Sequence, residues 1–269
     1  MGDISTETKK LDGQVAIVTG AGSSGPGFGT GKATSVLFAR EGAKVVLVDM
    51  YEDRAAETLQ LIEEEGGQAT VVVADLSEPS SAPVVVDEAL NRFGRVDILV
   101  NNAAIAEWGD ILNTSLELYQ RTIAVNLTAP FMLSKAVIPL MLEAGGGSII
   151  NITSIVAIRG TGAQQPAYAA SKAGLIGLMT NLADTFGTRG IRVNAIAPGI
   201  IKTPMRDAVV QKTGPEMQKV GMGERTALGK EGDAWDIARA ALFLAGPDGR
   251  YITGVHLPVD GGTTMRTHY

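Results

Sequence analysis

Seven short apolar runs recur along the chain, and their failure to alternate limits what it can fold into. They begin at Val15 (VAIVTG), Lys44 (KVVLVD), Ala69 (ATVVVAD), Val96 (VDILVNNA), Ser148 (SIINITS), Arg192 (RVNAIAPG) and Gly254 (GVHLPVDG). A strand with one wet face alternates apolar and polar residues, whereas these are rich in Val and Ile almost throughout. Such strands are buried on both faces, which requires a parallel sheet covered by helices. Between the runs lie segments with helical spacing. After Gln165, the positions Tyr168, Lys172, Leu175, Met179, Leu182 and Phe186 share one stripe at steps of three and four. Thr114 and Glu117 read as a capping box that opens another helix. The expected class is α/β, a doubly wound parallel seven-stranded sheet with helices on both faces, whose ligands bind beyond the carboxyl ends of the strands.

With 269 residues, 45% apolar and 19% charged, the chain suits one domain, and no composition shift or linker divides it. We read residues 1–269 as a single dinucleotide-binding and catalytic domain, with residues 1–11 as a polar tail. The net charge is −6 and the basic residues are scattered, so neither a nucleic-acid groove nor an anionic membrane surface is expected as a partner. Cysteine is absent, and His256 and His268 are the only histidines. No metal site is expected from that set, and a reducing, cytoplasmic location fits it. No apolar run approaches the roughly 20 residues of a bilayer span. The opening MGDISTETKKL lacks the apolar centre of a signal peptide. Gly2 and Thr6 match the loose myristoylation pattern, for which a polar tail is the preferred reading.

Residues 19–33, TGAGSSGPGFGTGKA, carry six glycines between the first strand and the first helix. A dinucleotide pyrophosphate would rest there on exposed backbone N–H groups. The P-loop pattern fails twice, at Pro26 where a glycine is needed and at Ala33 where Ser or Thr is needed. The pattern G-x-G-x-x-G fits Gly20, Gly22 and Gly25, yet Gly29-Thr30-Gly31 leads more directly into the helix. Asp49 ends the second strand 18 residues beyond Gly31, near the interval of about 20 expected of an acid that grips a ribose 2′-OH. A carboxylate there repels a 2′-phosphate, and neither Met50 nor Phe28 compensates, so NAD is favoured over NADP. Lys32 and Arg40 are the nearby cations that weigh against this. A single-domain Rossmann fold follows.

Tyr168 and Lys172 stand one helical turn apart on one face. A phenol of reference pKa near 10 is a poor base at neutral pH, and a neighbouring cation lowers that value. Ser154, at the end of the fifth strand, can hydrogen-bond the same substrate oxygen. Pro130 has no N–H to give the Asn126 carbonyl four residues back, so a helix kink is expected there.

Thr19-Gly20, Asn101-Asn102-Ala103-Ala104, Asn126, Ser154, Tyr168, Lys172 and Pro198-Gly199 together resemble the short-chain dehydrogenase/reductase family, from about Leu11 to Gly262. The resemblance implies that Tyr168 is the acid/base, that Lys172 lowers its pKa and holds the nicotinamide ribose, and that Ser154 orients the substrate carbonyl. Asn126 would support a water linking Lys172 to solvent. Gly20, Gly29 and Gly31 would cradle the pyrophosphate, Asp75 and Leu76 would flank the adenine, and Asn102 would support the strand end. Pro198, Gly199, Ile201 and Thr203 would meet the nicotinamide. Two departures stand out. Eight residues separate Gly20 from Gly29, about five more than the family pattern, and Ala104 replaces the last glycine of NNAG. Family members commonly form tetramers, so a homotetramer is expected.

The segment from Lys202 to about Lys230, with Met205, Met217 and Met222, is expected to bind substrate, and Trp108 to overhang the pocket. Together they favour a hydrophobic alicyclic or aromatic secondary alcohol or its ketone. Alternatives are reduction of a 3-oxoacyl thioester or oxidation of a sugar. A basic patch would favour an acyl-carrier substrate, and that segment offers only Arg206, Lys212, Lys219 and Arg225. A non-catalytic nicotinamide-binding sensor is the alternative of another class.

Overall fold

A computed structural model of the chain describes residues 9–161, 164–207 and 222–266. In it the seven apolar runs pair side by side. They form β1 (Val15–Thr19), β2 (Lys44–Asp49), β3 (Gln68–Val73), β4 (Ile98–Asn101), β5 (Gly147–Ile152) and β6 (Ile191–Pro198). Two-residue strands β7 (Ile201–Lys202) and β8 (Gly232–Asp233) pair apart from the main sheet, and β9 (His256–Val259) completes it. The order is β3-β2-β1-β4-β5-β6-β9, with every pairing parallel.

Successive side chains of each strand feed opposite layers, which is why the runs do not alternate in polarity. Ala16 and Val18 of β1 face one core while Ile17 faces the other; Val45 and Leu47 of β2 oppose Val46 and Val48 in the same way. The first core lies under α1 (Thr30–Arg40), α2 (Glu52–Glu64) and α7 (Ala234–Ala245). Around the second are α3 (Ser81–Phe93), α5 (Ala129–Glu143) and α6 (Pro166–Phe186). Because β1 lies between β2 and β4, the connections leaving β1 and β4 run to opposite faces. A crevice opens at that switch point.

Several expectations are corrected. The helix α4 (Leu116–Ile123) is capped by Ser115, whose hydroxyl accepts from Leu118 N at 3.1 Å. Thr114 instead donates to the Asp110 carbonyl at 2.8 Å, so the proposed capping box is displaced by one residue. The reciprocal box in fact opens α7, where Asp233 accepts from Asp236 N and Asp236 accepts from Asp233 N. Pro130 does not produce a sharp kink. A π turn over Ala124–Thr128 absorbs the missing hydrogen bond and joins α4 to α5. The result is a 28-residue helix, Leu116–Glu143, long and apolar enough by composition to cross a bilayer, contrary to expectation. Its Leu133, Val137 and Met141 are buried in the second core, as in a helix of a layered fold. The tail is also shorter than residues 1–11, since Leu11 is fully buried and donates to the Glu41 carbonyl at 2.9 Å. Gly2, Thr6, His268, Met217, Lys212 and Lys219 lie outside the described residues.

Arg192 of β6 closes the far end of the fold. Its guanidinium donates to the carbonyls of Leu244 at 2.5 Å, Ala245 at 2.8 Å and Gly249 at 3.0 Å, just past the last turn of α7. A cation there also meets the negative end of the helix dipole. Arg192→Met removes these donors, leaving Leu244 O only the Ser148 hydroxyl at 3.4 Å, and is expected to cost about 3 kcal/mol of stability, measured as a lower urea midpoint with unchanged slope.

Candidate active site

The turn after β1 is built around a backbone contact that only glycine permits. Gly20 adopts φ +62°, and Gly31, in the first turn of α1, lies so close that a Cβ would overlap the Gly20 carbonyl. Asn102, just past β4, ties the pieces together. Its Nδ2 donates to the carbonyls of Thr19 at 2.8 Å and Gly20 at 3.1 Å, and its Oδ1 accepts from the Thr30 hydroxyl at 2.7 Å. The long loop divides into two parts. Gly20, Gly22, Ser23, Ser24, Gly29, Thr30 and Gly31 line a cleft of about 580 Å³. The stretch between them swings away, and Phe28 stacks against Trp235 of α7 with ring centres 4.9 Å apart.

Asp49 reaches the same cleft. One carboxylate oxygen accepts from Gly22 N at 2.9 Å and the other from Tyr51 N at 3.1 Å. The two cations weighed against it point elsewhere. Lys32 is buried and paired with Glu57 at 2.6 Å, and Arg40 with Glu65 at 2.6 Å. The cation that does reach this end is Arg54, stacked 3.9 Å over the Tyr51 ring. Sequence reasoning missed it because Arg54 falls in the first turn of α2, where only the fold shows which way it faces. Asp75 and Leu76 line the cleft beyond β3. Hydrogen bonds from the Ser77 amide, at 2.9 Å, and from its hydroxyl, at 2.8 Å, hold the Asp75 carboxyl below its ordinary range.

On the other side of the cleft stand Ser154, Tyr168 and Lys172, with Pro198, Gly199, Ile201 and Thr203 following β6. Ser154 caps a short turn, accepting from Val156 N at 3.3 Å, and its side chain hydrogen-bonds Tyr168. Lys172 is 1% exposed and donates to the Ile152 carbonyl at 2.7 Å. Its ammonium lies 5.5 Å from the Tyr168 ring centre. Desolvation pushes Lys172 down to about 7 and Tyr168 up to about 12, the Ser154 hydrogen bond pulling the phenol partly back. The expected lowering of Tyr168 by Lys172 is not seen; burial is the larger influence on the phenol and the Ser154 hydrogen bond the smaller.

Asn126 alone among the expected catalytic residues does not line the cleft. It is fully buried behind it, accepting from Ile105 N at 2.8 Å and donating to Ile105 O at 2.9 Å and Ser171 Oγ at 3.1 Å. Ser171 in turn donates to the Tyr168 carbonyl at 2.8 Å. The visible work of Asn126 is to clamp the loop after β4 to the helix that carries Tyr168 and Lys172. Ala104, Trp108 and Met205 line the cleft as well. Further lining residues escaped the sequence reading: Arg121, Arg159, Gln165, Thr263 and Thr264. Arg121 lies on α4 and the others on turns and loops; strand order brings them together, with no local signal.

A glycine loop opening the first helix, an acid at the end of β2 and a buried Tyr–Lys pair beside a serine define an oxidoreductase of the nicotinamide-dinucleotide class. The family model described as "Enoyl-(Acyl carrier protein) reductase" matches residues 26–264. The chain is 38% identical to the 2,5-dichloro-2,5-cyclohexadiene-1,4-diol dehydrogenase LinX of Sphingobium indicum, covering 95% of this chain and 98% of that one. It is 36% identical to the 3-oxoacyl-[acyl-carrier-protein] reductase FabG of Thermotoga maritima, covering 95% and 100%. Among solved structures, carveol dehydrogenase from Mycobacterium avium in complex with NAD superposes with TM-score 0.88 at 29% identity, covering 96% and 100%. A blue fluorescent protein from a metagenomic library in complex with NADPH gives 0.83 at 36%, covering 94% and 99%. The chain belongs to the short-chain dehydrogenase/reductase family.

Two outcomes are expected. Gly31→Ala, which drives a methyl group into the Gly20 carbonyl, is expected to cost about 1–3 kcal/mol of stability and to abolish detectable NADH binding by fluorescence titration. For Lys172 the sign follows from linkage. Its folded value of about 7 lies below the ordinary 10.5, so between these values the unfolded chain binds more protons and stability rises with pH. Tyr168 opposes this only above its ordinary 10. Urea melts are expected to show stability increasing from pH 6 to pH 9, with the rise reduced in Lys172→Met.

Proposed function

We propose that the protein transfers hydride between NAD and the carbinol carbon of a secondary alcohol, or its ketone in reverse, with a hydrophobic alicyclic or aromatic frame. The observation that carries this reading is the convergence of Ser154, Tyr168 and Lys172 on the cleft that also holds Asp49 and the glycine turn. Two features support the fit to a dinucleotide. A Cβ on Gly22 would lie 2.5 Å from the Arg54 side chain and 3.0 Å from Asp49 Oδ2, so that approach is kept open by glycine. Asp49 stands where a ribose 2′-OH would need an acceptor. Gly20, Gly29 and Gly31 would hold the pyrophosphate, Asp75 and Leu76 the adenine, Asn102 the strand end, and Pro198, Gly199, Ile201 and Thr203 the nicotinamide.

The bound cofactor supplies the two-electron acceptor at the carbinol carbon. Ser154 donates a hydrogen bond to the substrate oxygen, and Tyr168, as phenolate, takes the hydroxyl proton while the C–H electron pair leaves. In the reverse direction Tyr168 returns that proton to the carbonyl oxygen. Lys172 favours the phenolate when it is protonated. Asn126 positions the helix bearing both residues. Trp108, Met205, Ile105 and Val156 give the substrate end apolar walls.

The likeness to FabG favours a second reading, reduction of a 3-oxoacyl thioester with the same residues, and oxidation of a sugar would use them as well. A nicotinamide-binding sensor would have no use for a buried Lys beside a Tyr–Ser pair. Exposed Leu116, Tyr119 and Phe131 along α4 and α5 support assembly as a homotetramer, and a sequence without cysteine fits a reducing, cytoplasmic site.

The test is nicotinamide reduction with NAD and with NADP against a panel of cyclic and aromatic secondary alcohols. Turnover is expected to favour NAD by about tenfold or more, one pKa-scale increment of binding energy or greater. Tyr168→Phe is expected to lose about 10²–10⁴ of the rate. Faster turnover with NADP would assign Arg54 the 2′-phosphate and refute the Asp49 argument. An active Tyr168→Phe enzyme would refute the acid/base role.

A further inference from the structure

We propose that the substrate carries a carboxylate, bound by the guanidinium groups of Arg159 and Arg225; this rests on the reading of the cleft as an alcohol-oxidising site. The ionisable side chains lining the cleft are unevenly balanced. Asp49 and Asp75 are its only acidic lining residues among those described; both stand beyond β2 and β3, where Arg54 and Arg121 accompany them. The other end, beside Ser154 and Tyr168, is lined by Arg159, Arg206 and Arg225. In a chain of net charge −6 composition does not account for three arginines at one end of one cleft.

Of these three, Arg206 is already neutralised, by Glu231 at 2.7 Å and Asp207 at 3.2 Å. Arg159 and Arg225 have no acidic partner among the described residues. The guanidinium of Arg159 donates to the carbonyl of Arg266. Arg266 in turn donates to the carbonyls of Glu224 at 2.5 Å and Thr226 at 2.9 Å, the residues on either side of Arg225. One hydrogen-bonded frame therefore ties Arg159 to the turn that carries Arg225.

Two partly buried guanidinium groups with no acidic partner among the described residues have lost part of their hydration. A bound carboxylate offsets that cost, since its two oxygens match the parallel N–H donors of a guanidinium. The apolar walls at Trp108 and Met205 leave the intervening space to carbon. The substrate class that fits is a hydroxy acid, or the corresponding oxo acid, with a compact hydrophobic or cyclic frame between the carbinol and the carboxylate.

The probe is cyclohexanecarboxylate, set against the neutral, isosteric cyclohexanecarboxamide, each titrated calorimetrically into the NADH-loaded protein. The acid is expected to bind about 10–100-fold more tightly than the amide, the worth of a charge-assisted hydrogen bond or two. Arg225→Gln and Arg159→Gln are expected to reduce that preference to within about threefold, and Arg225→Lys to keep part of it. Thermal melts identify any variant that has failed to fold, and Arg225→Lys then carries the comparison. Equal binding of acid and amide, undetectable binding of the acid at millimolar concentration, or an undiminished preference in Arg225→Gln would each overturn the proposal. Because binding is read without turnover, failure of the dehydrogenase reading appears separately, as acid preference with no hydride transfer to any alcohol.

Discussion

The side chain of Asn102 sits where the sheet changes direction, and it holds the two halves of the crevice in register. Its amide spans the end of β1, and its oxygen takes the Thr30 hydroxyl at the start of α1. The Thr19 hydroxyl completes the knot, accepting from Asn102 N at 2.9 Å and Ala103 N at 3.0 Å while donating to Val100 O at 3.3 Å. A network this thoroughly paired is rigid, and losing one member would leave the others unsatisfied in a low-dielectric site. The close approach of Gly31 to Gly20 is only sustainable because this knot fixes both backbones. The cleft, and every residue placed along it, inherits its geometry from that point.

Burial sets the chemistry on the opposite wall. An ammonium has three donors, and Ile152 accepts one of those of Lys172. No acceptor for the remainder stands among the described residues, and desolvation brings the group down to about 7. Tyr168 is displaced in the opposite sense. Neither residue is therefore ready for proton transfer in isolation. A ligand offering oxygens to Lys172 would restore its charge and, through it, favour the phenolate. The buried clamp of Asn126 and Ser171 holds the helix that carries both desolvated groups against the loop after β4.

The sheet was legible because its evidence is repeated seven times and the central strands are covered on both faces. Chain order then placed Asp49, Ser154 and the Pro198-Gly199 turn at strand ends without any tertiary knowledge. Cap positions were less legible, since Ser115 and Thr114 are chemically equivalent as caps. Only the Asp110 carbonyl, which takes the Thr114 hydroxyl, breaks that tie. Direction was illegible for long side chains. Lys32 lies beside the glycine turn in sequence yet pairs with Glu57 across α2, while Arg54, more remote, faces the cleft. Burial strength was illegible too. The spacing of Tyr168 and Lys172 shows that they are neighbours, whereas the sign of their pKa shifts depends on how much water the surrounding layers exclude.

The length of the glycine loop acquires a physical reason from the same layers. A minimal turn from β1 into α1 would touch only the cofactor side of the crevice. The additional residues carry Phe28 out to Trp235, where it joins Ala33, Ala234 and Ala238 in a small apolar cluster between α1 and α7. They also bring Gly25 near Pro204, which follows β7, so that a Cβ on the glycine would lie 3.3 Å from that side chain. The loop is thereby anchored on the helix that β8 leads into and leans on the segment that leaves the Pro198-Gly199 turn. The extended loop thus packs one wall of the crevice onto α7 through Phe28 and Trp235, a contact that a shorter turn could not make.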